Sequence, residues 1–185
     1  MTDFLMLVNA AHPYRGDLPL RELSPACGPD SAVFLHKTAA DALDKLLQAI
    51  GAGAQIVPVS GWRSGAEQRA IYESSLKESG QEFTQKFVAL PGCSEHQTGL
   101  AIDLALNREP IDFIRPDFPC TGVCGAFRKA AAEFGFVERY PAGKEEITGI
   151  AHEPWHFRYV GAPHAAVMAA RGLCLEEYLA GRGWK

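Results

Sequence analysis

Glycine and proline punctuation constrains this chain more than any other feature. With 18 Gly and 12 Pro among 185 residues, helical and strand patterns are repeatedly cut short. Residues 10–31 carry Pro13, Gly16, Pro19, Pro25, Gly28 and Pro29 and read as loop. Residues 107–121 carry Pro110, Pro116 and Pro119 and read as a second loop, long enough to serve as a lid over a site. No internal repeat or low-complexity tract is present.

Between these breaks the hydrophobic spacing is legible. Ala40, Leu43, Leu46, Leu47 and Ile50 predict a helix from Lys37 to Ala49, ended by Gly51 and Gly53. Gln55 to Val59 reads as a short strand, with Pro58 marking an edge or a strand end. Ser64 and Glu67 form a capping-box pattern that opens a helix to about Ser79, with Ala66, Ala70, Ile71 and Leu76 facing inward. Leu100 to Ala105 reads as a buried strand, and Cys124 to Phe134 as a helix stopped by Gly135. Phe136 to Tyr140 and Trp155 to Val160 read as strands, followed by short helices near 163–171 and 174–180. Helices mixed with short strands, without a regular β-α-β repeat, give an α+β class. The expectation is one domain over 1–185, with a central, mostly antiparallel sheet flanked by helices.

Composition excludes several functions. The residues are 47% hydrophobic and 22% charged, as in a folded globular chain and unlike a disordered one. A net charge of −4 and a pI near 5.9 argue against nucleic acid and against a polybasic membrane anchor. No apolar run approaches the ~18 residues of a membrane span. The segment from Met1 to Asn9 lacks a basic region and is too short for a signal sequence, so a soluble, cytoplasmic protein is expected. The sequence does not specify an oligomeric state. Five cysteines at irregular spacing are not a disulfide framework. Cys120 and Cys124 lack a second metal-binding pair and read as free thiols.

Three clusters carry chemistry: Ser60-Gly-Trp-Arg-Ser64, Pro91 to Asp103, and Ile150 to Tyr159. The third contains His152-Glu-Pro-Trp-His156, which matches the H-E-x-x-H pattern of helical zinc sites. Pro154 disfavours the helix that pattern needs, and Phe157-Arg-Tyr-Val160 prefers strand. On a strand, His156 and Arg158 share one face, opposite Trp155, Phe157 and Tyr159. His156 can then be a metal ligand with Glu153 as a nearby base, and His96 and Asp103 of the second cluster can complete the ligand set. Alone, that histidine–aspartate spacing is a weak signal that favours a turn-capping histidine and a solvated aspartate.

Taken together, the ordered motifs Ser60-Gly-Trp-Arg-Ser64, Pro91-Gly-Cys-Ser-Glu-His-Gln-Thr-Gly-Leu-Ala-Ile-Asp103 and Glu153-Pro-Trp-His-Phe-Arg-Tyr-Val-Gly161 closely resemble the zinc D,D-peptidases of glycopeptide resistance. These are the VanY-type D,D-carboxypeptidases and bifunctional VanXY-type enzymes, with VanX dipeptidases more distant. The likeness runs from about Leu7 to Tyr178. It implies a Zn²⁺ site on the sheet held by His96, Asp103 and His156. Glu153 resembles the carboxylate that activates a zinc-bound water and returns the proton to the leaving amine, and Arg63 the group that polarises the scissile carbonyl. Ser94 and Gln68 resemble residues near the substrate's terminal carboxylate. The implied substrates are small peptides ending in D-Ala-D-Ala: the free dipeptide, muramyl-pentapeptide precursors, or both. The expectation of an unexported protein, read from residues 1–9, accords with the VanXY type.

Each residue also has a plainer reading. Ser94 can cap the turn before His96, and Arg63 can be a surface ion-pair partner. Trp155, Phe157 and Tyr159 read as core-facing, and Trp62 as pocket wall or core. Arg158 is expected to orient a carboxylate, Asp103 or Glu153, and Glu95 to lie behind a ligand or at the surface. His12, His36 and His164 read as structural. Competing functions are an L-Ala-D-Glu endopeptidase of the cell wall and a non-catalytic, zinc-stabilised peptide-binding module. Retention of Glu153 and Arg63 argues against the module.

Overall fold

A computed structural model describes residues 3–16 and 18–183. Met1 and Thr2, which begin the N-terminal segment considered above, lie outside them. A 3-10 turn at Leu20–Glu22 leads into β1 (Leu23–Pro25), which pairs antiparallel with β2 (Phe34–His36), Leu23 opposite His36. Residues 10–31 are therefore not all loop. Pro25 is tolerated because its position in the two-stranded ribbon is not a donating one; the ladder bond is made by the next residue, whose amide donates to the Val33 carbonyl at 2.8 Å. The expected helix is α1 (Lys37–Ala49), capped by the His36 ring, which accepts from the Thr38 amide at 3.2 Å. It buries Ala39, Ala40, Leu43, Leu46 and Leu47, and Gly51 follows at φ 63°.

The central sheet contains β3 (Ile56–Ser60), β4 (Ala101–Leu106), β5 (Phe136–Glu138) and β6 (His156–Tyr159), in the order β3-β4-β6-β5 with every pair antiparallel. β3 is an edge strand, as Pro58 requires, and its register slips between Pro58 and Ser60. Alternation divides the sheet into two faces. Ile102, Leu104, Phe157 and Tyr159 join Leu43, Leu46, Phe127 and Phe136 in the main core. Removing one such ring, as in Phe157→Ala, costs about 3–5 kcal/mol. The other face carries Asp103 and His156 directly opposite each other, with Ser60 opposite Asp103 on the far side.

Between β3 and β4 lies α2 (Gly65–Phe87), opened by the full Ser64/Glu67 capping box. The chain breaks at Gly80 (φ 80°, ψ 172°), so the first helical stretch ends where expected and a second continues to Phe87. The inward face of α2 differs from the expected one. Ala66, Ala70, Ile71 and Leu76 are exposed, whereas Gln68, Ser75 and Thr84 are buried. The physical reason is that α2 does not cover the apolar core. It stands over the polar sheet face and walls a cavity.

The C-terminal third holds α3 (Gly122–Ala130), a 3-10 turn at Ala131–Phe134, α4 (Glu145–Thr148), α5 (Ala162–Arg171) and α6 (Leu175–Ala180). The sequence reading did not anticipate α4. Residues Val137, Val160, Met168, Leu175 and Leu179 form a smaller core between the last helices and the sheet. All five cysteines are free, Cys120 exposed and Cys124 buried.

Candidate functional site

The register of β4 against β6 places Asp103 beside His156, whose Nδ1 lies 2.8 Å from Asp103 Oδ1. His96 arrives from a 3-10 turn, Glu95–Thr98, that immediately precedes β4, and its Nε2 lies 3.2 Å from Asp103 Oδ2. Two glycines make this approach possible. Gly99 ends the turn at φ 69°, and a Cβ there would stand 2.9 Å from the His36 amide nitrogen. A Cβ on Gly61 would meet the Phe34 carbonyl oxygen at 2.3 Å. The Gly61 carbonyl, so placed, lies 2.7 Å from His96 Nδ1. A carbonyl can only accept, so Nδ1 carries the proton and Nε2 presents its lone pair to the site. One donor atom each from His96, Asp103 and His156 lies within 4.8 Å of the others, and all three residues are buried. Two imidazoles and one carboxylate, with a position left open, are a donor set suited to catalytic Zn²⁺.

Glu153 is carried on a tight turn. Its amide donates to the Tyr140 carbonyl, and the His156 amide donates back to the Glu153 carbonyl, both at 3.1 Å. Pro154 sits inside this turn, so no helix passes through residues 152–156. His152 instead bonds Glu138 Oε1 at 3.0 Å, away from the triad, and the helical zinc arrangement does not form. The Glu153 carboxylate comes within 3.8 Å of His156 Nδ1. Arg63 reaches the site from the turn before α2. It donates to Ser60 Oγ (2.8 Å), Gln68 Oε1 (3.1 Å) and Asp103 Oδ2 (3.2 Å). Gln68 is buried on α2 and donates to the Ala89 carbonyl. Ser94 is buried at the start of the His96 turn, makes no side-chain cap and lines the same cavity. The structure thus brings together all seven residues singled out from the sequence.

Arg158 occupies a different place from the one expected, whereas Glu95 lies behind the candidate ligand His156, one of the two places expected of it. Arg158 does not reach Asp103 or Glu153. Its Nη1 lies 2.8 Å from Glu95 Oε1, an ion pair without hydrogen-bond alignment, and its other nitrogens donate to backbone carbonyls. Glu95 is fully buried and accepts a hydrogen bond from Arg139 Nε at 2.8 Å. Tyr140 lies against His156, with ring centroids 5.0 Å apart. Sequence reasoning missed Arg139 and Tyr140. The available signal was Arg158 itself, because a guanidinium on the buried face of a strand demands a buried carboxylate.

Burial and charge set unusual proton affinities here. Burial raises the Glu153 carboxyl to about 8, reinforced by Asp103 and Glu95 and opposed by His156 and Arg63. Burial also opposes charge on His96, and Arg63 adds to it, so its imidazole falls to about 4. For His156 burial acts downward too, but hydrogen bonds and charge from Asp103 and Glu95 prevail and lift it to about 9. Burial disfavours the Asp103 and Glu95 carboxylates, yet the histidines hold the first well below its usual range, and Arg139 and Arg158 hold the second.

These groups line one end of a cavity of about 360 Å³. The other end is bounded by Ile71, Ser74 and Phe87 of α2, Val88 just after it, and Phe113 and Ile114 of the 107–121 loop. Trp155 lines the cavity as well as packing in the core, whereas Trp62 is not part of its lining. Arg108 and Asp117 pair with each other, and Asp112 accepts from the backbone of Ile114 and Arg115. The loop therefore offers the cavity apolar side chains, uses Arg108, Asp117 and Asp112 to hold its own shape, and lays the Arg115 guanidinium over the Phe83 ring of α2.

Comparison with known proteins accords with this geometry. The VanY family, described as D-alanyl-D-alanine carboxypeptidase, matches residues 32–162. The bifunctional D-Ala-D-Ala dipeptidase and D-Ala-D-Ala carboxypeptidase VanXYC of Enterococcus gallinarum is 45% identical over 175 residues, which is 94% of this chain and 92% of that protein. Among solved structures, the vancomycin-resistance D,D-dipeptidase VanXYg, in complex with a D-Ala-D-Ala phosphinate analogue, superposes with a TM-score of 0.92 at 53% identity. That match covers 96% of this chain and 70% of the other. A mutant D,D-pentapeptidase VanY from a VanB-type resistance cassette, in complex with Zn(II), gives 0.79 at 30% identity over 96% and 99% of the two chains.

Proposed function

Because this chain belongs to the VanY family of D-alanyl-D-alanine carboxypeptidases, we propose that it is a zinc-dependent D,D-peptidase. It hydrolyses the terminal D-Ala-D-Ala bond of the free dipeptide and of muramyl-pentapeptide precursors. The observation that carries this reading is the convergence of His96, Asp103 and His156 with Glu153 and Arg63 at one end of a single cavity. His96, Asp103 and His156 would hold the metal. Zinc, when bound, supplies a Lewis acid that acidifies water to a pKa of about 7 and draws electrons from a carbonyl oxygen.

The chain's own groups do the rest. Glu153 takes the proton from the attacking water and delivers it to the leaving amine. A carboxyl lifted toward neutrality by burial is suited to both directions of transfer. Arg63 faces the developing oxyanion, where one well-placed donor is worth about 3–4 kcal/mol. Its guanidinium is aimed by Ser60 and Gln68, so Gln68 acts through Arg63. Ser94 offers its hydroxyl to the terminal carboxylate of the substrate. The 107–121 loop, through Phe113 and Ile114, forms the wall that a longer peptide would pass, and in this reading it is the lid. No helix among the described residues is long and apolar enough to cross a membrane. A cytoplasmic enzyme acting on precursors, and so removing the terminus that glycopeptide antibiotics bind, is the proposed setting.

The test is D-Ala release from D-Ala-D-Ala and from muramyl pentapeptide, side by side, with zinc-loaded protein and Glu153→Ala as control. Release from both, abolished in the variant while zinc is retained, is the expected outcome. Release from the pentapeptide alone narrows the enzyme to a carboxypeptidase. Silence on both with zinc bound would overturn the assignment in favour of a cell-wall endopeptidase or a binding module.

A further inference from the structure

The two histidines of the triad are backed differently. Behind His96, the Gly61 carbonyl accepts from Nδ1. Behind His156, whose Nδ1 faces Asp103, the second nitrogen Nε2 faces Glu95 Oε2 at 3.7 Å. Both atoms are buried, and neither has another hydrogen-bond partner among the described residues. At 3.7 Å the pair is just beyond hydrogen-bond length. A small closing movement makes a direct bond.

The rest of the Glu95 carboxylate is fixed by residues far apart in sequence. Oε1 takes Arg139 Nε and lies beside Arg158 Nη1, each at 2.8 Å. Arg139 grips Glu176 on α6 with its other two nitrogens, at 2.9 and 2.6 Å. Two guanidinium groups balance two carboxylates in charge, so the cluster would hold together without His156. A cluster serving stability alone would not need to leave one carboxylate oxygen buried, unbonded and turned toward a ring nitrogen that is itself unbonded.

We propose that Glu95 is a positioning residue for His156. It accepts the Nε2 proton, fixes the ring's tautomer and rotation, and thereby keeps the Nδ1 lone pair directed at Asp103 and His96. Glu176, through Arg139, keeps Glu95 in place. This rests on the zinc reading above. A carboxylate behind an imidazole raises its strength as a ligand, and groups of this kind are worth about 10- to 100-fold in metal affinity. His156 is then the stronger imidazole donor of the pair and His96, backed by a neutral carbonyl, the weaker.

The experiment measures zinc affinity by chelator competition for the wild type, Glu95→Gln and Glu176→Gln, together with the ¹⁵N and ring-proton NMR signals of His156 in the zinc-loaded proteins. Expected are a loss of about 10- to 100-fold in affinity for Glu95→Gln and a smaller loss for Glu176→Gln. The His156 Nε2 proton signal is expected downfield in the wild type and shifted upfield in both variants. Unchanged affinity in the variants overturns the proposal. Weaker binding with an unmoved His156 signal also overturns it, because the loss then came through general destabilisation. If Glu95→Gln does not fold, Glu176→Gln, which leaves Glu95 intact, decides by the same two readings. A wild type that binds no zinc overturns the zinc reading itself, an outcome distinct from the others.

Discussion

The floor and the outer wall of the cavity are built on opposite principles. The floor is the sheet face with Asp103, His156, His96, Glu153 and Glu95, all buried and nearly all charged or polar. Most of its groups are answered from two or more elements, as Arg63 is by Ser60, Gln68 and Asp103. The wall is apolar and largely open: Phe113 is 75% exposed, Ile114 43% and Ile71 39%. Displacing a floor residue leaves a buried charge unpaired, at a cost of several kcal/mol. Displacing a wall residue exposes a little more carbon to water. The chemistry thus sits where movement is costly, and substrate selection sits where movement is cheap.

That contrast can be broken by substitution. The largest effect is expected from Asp103→Ala. It removes the carboxylate shared by His96, His156 and Arg63, so bound zinc measured by atomic emission falls to background, and D-Ala release with it. The metal-free variant is destabilised by about 3–5 kcal/mol in denaturant titration, the usual consequence of unpairing a buried charge. Next, Arg63→Ala lowers kcat by about 10²–10³ while zinc content stays at the wild-type level. Loss of zinc in that variant would show that Arg63 holds the ligand Asp103 rather than the oxyanion.

A third test uses pH on the metal-free protein. Glu153 and His156 both bind a proton more tightly folded than unfolded, with folded values of about 8 and 9. Their contributions are therefore complete below the ordinary unfolded values and are lost as pH rises through the folded ones. His96, at about 4, works in the opposite sense, but its contribution is already complete above the ordinary histidine range near 6.5. The melting temperature of metal-free protein should accordingly fall from about pH 6.5 to 9. A flat or rising profile contradicts the charge arrangement of the floor. The smallest effect belongs to the wall. Phe113→Ala should leave zinc content and melting temperature unchanged and alter the pentapeptide-to-dipeptide rate ratio by less than about tenfold. A ring already 75% exposed contributes only a small part of the ~1.5–3 kcal/mol of a buried one. A change in zinc affinity there would erase the distinction between floor and wall.

The same division separates what the sequence discloses from what it hides. The helix at Lys37–Ala49, the Ser64/Glu67 cap and the two faces of β6 follow from local periodicity and hydrogen-bonding chemistry, and all are present. Pro154 sufficed to exclude a helix through His152 and His156. The inward face of α2 was misread because a helix that walls a polar cavity buries Gln68 and Ser75, and no hydrophobic stripe marks that side. Arg139 and Glu176 were obscure for another reason. Their partners are 37 and 44 residues away in sequence, and an isolated charged residue carries no sign of its own burial. The short β1 was hidden by prolines that a strand end tolerates.

Arg158 Nη2 also donates to the backbone carbonyls of Phe4 and Met6, 154 and 152 residues earlier in the chain. During synthesis those carbonyls emerge before Arg158, and Glu176 emerges after it. Each therefore waits for the next, and the clasp behind Glu95 closes only when α6 has left the ribosome. Proteolytic loss of Phe4 to Met6 would strip acceptors from a guanidinium two residues beyond His156, so damage far away in sequence would be felt at the chemical centre.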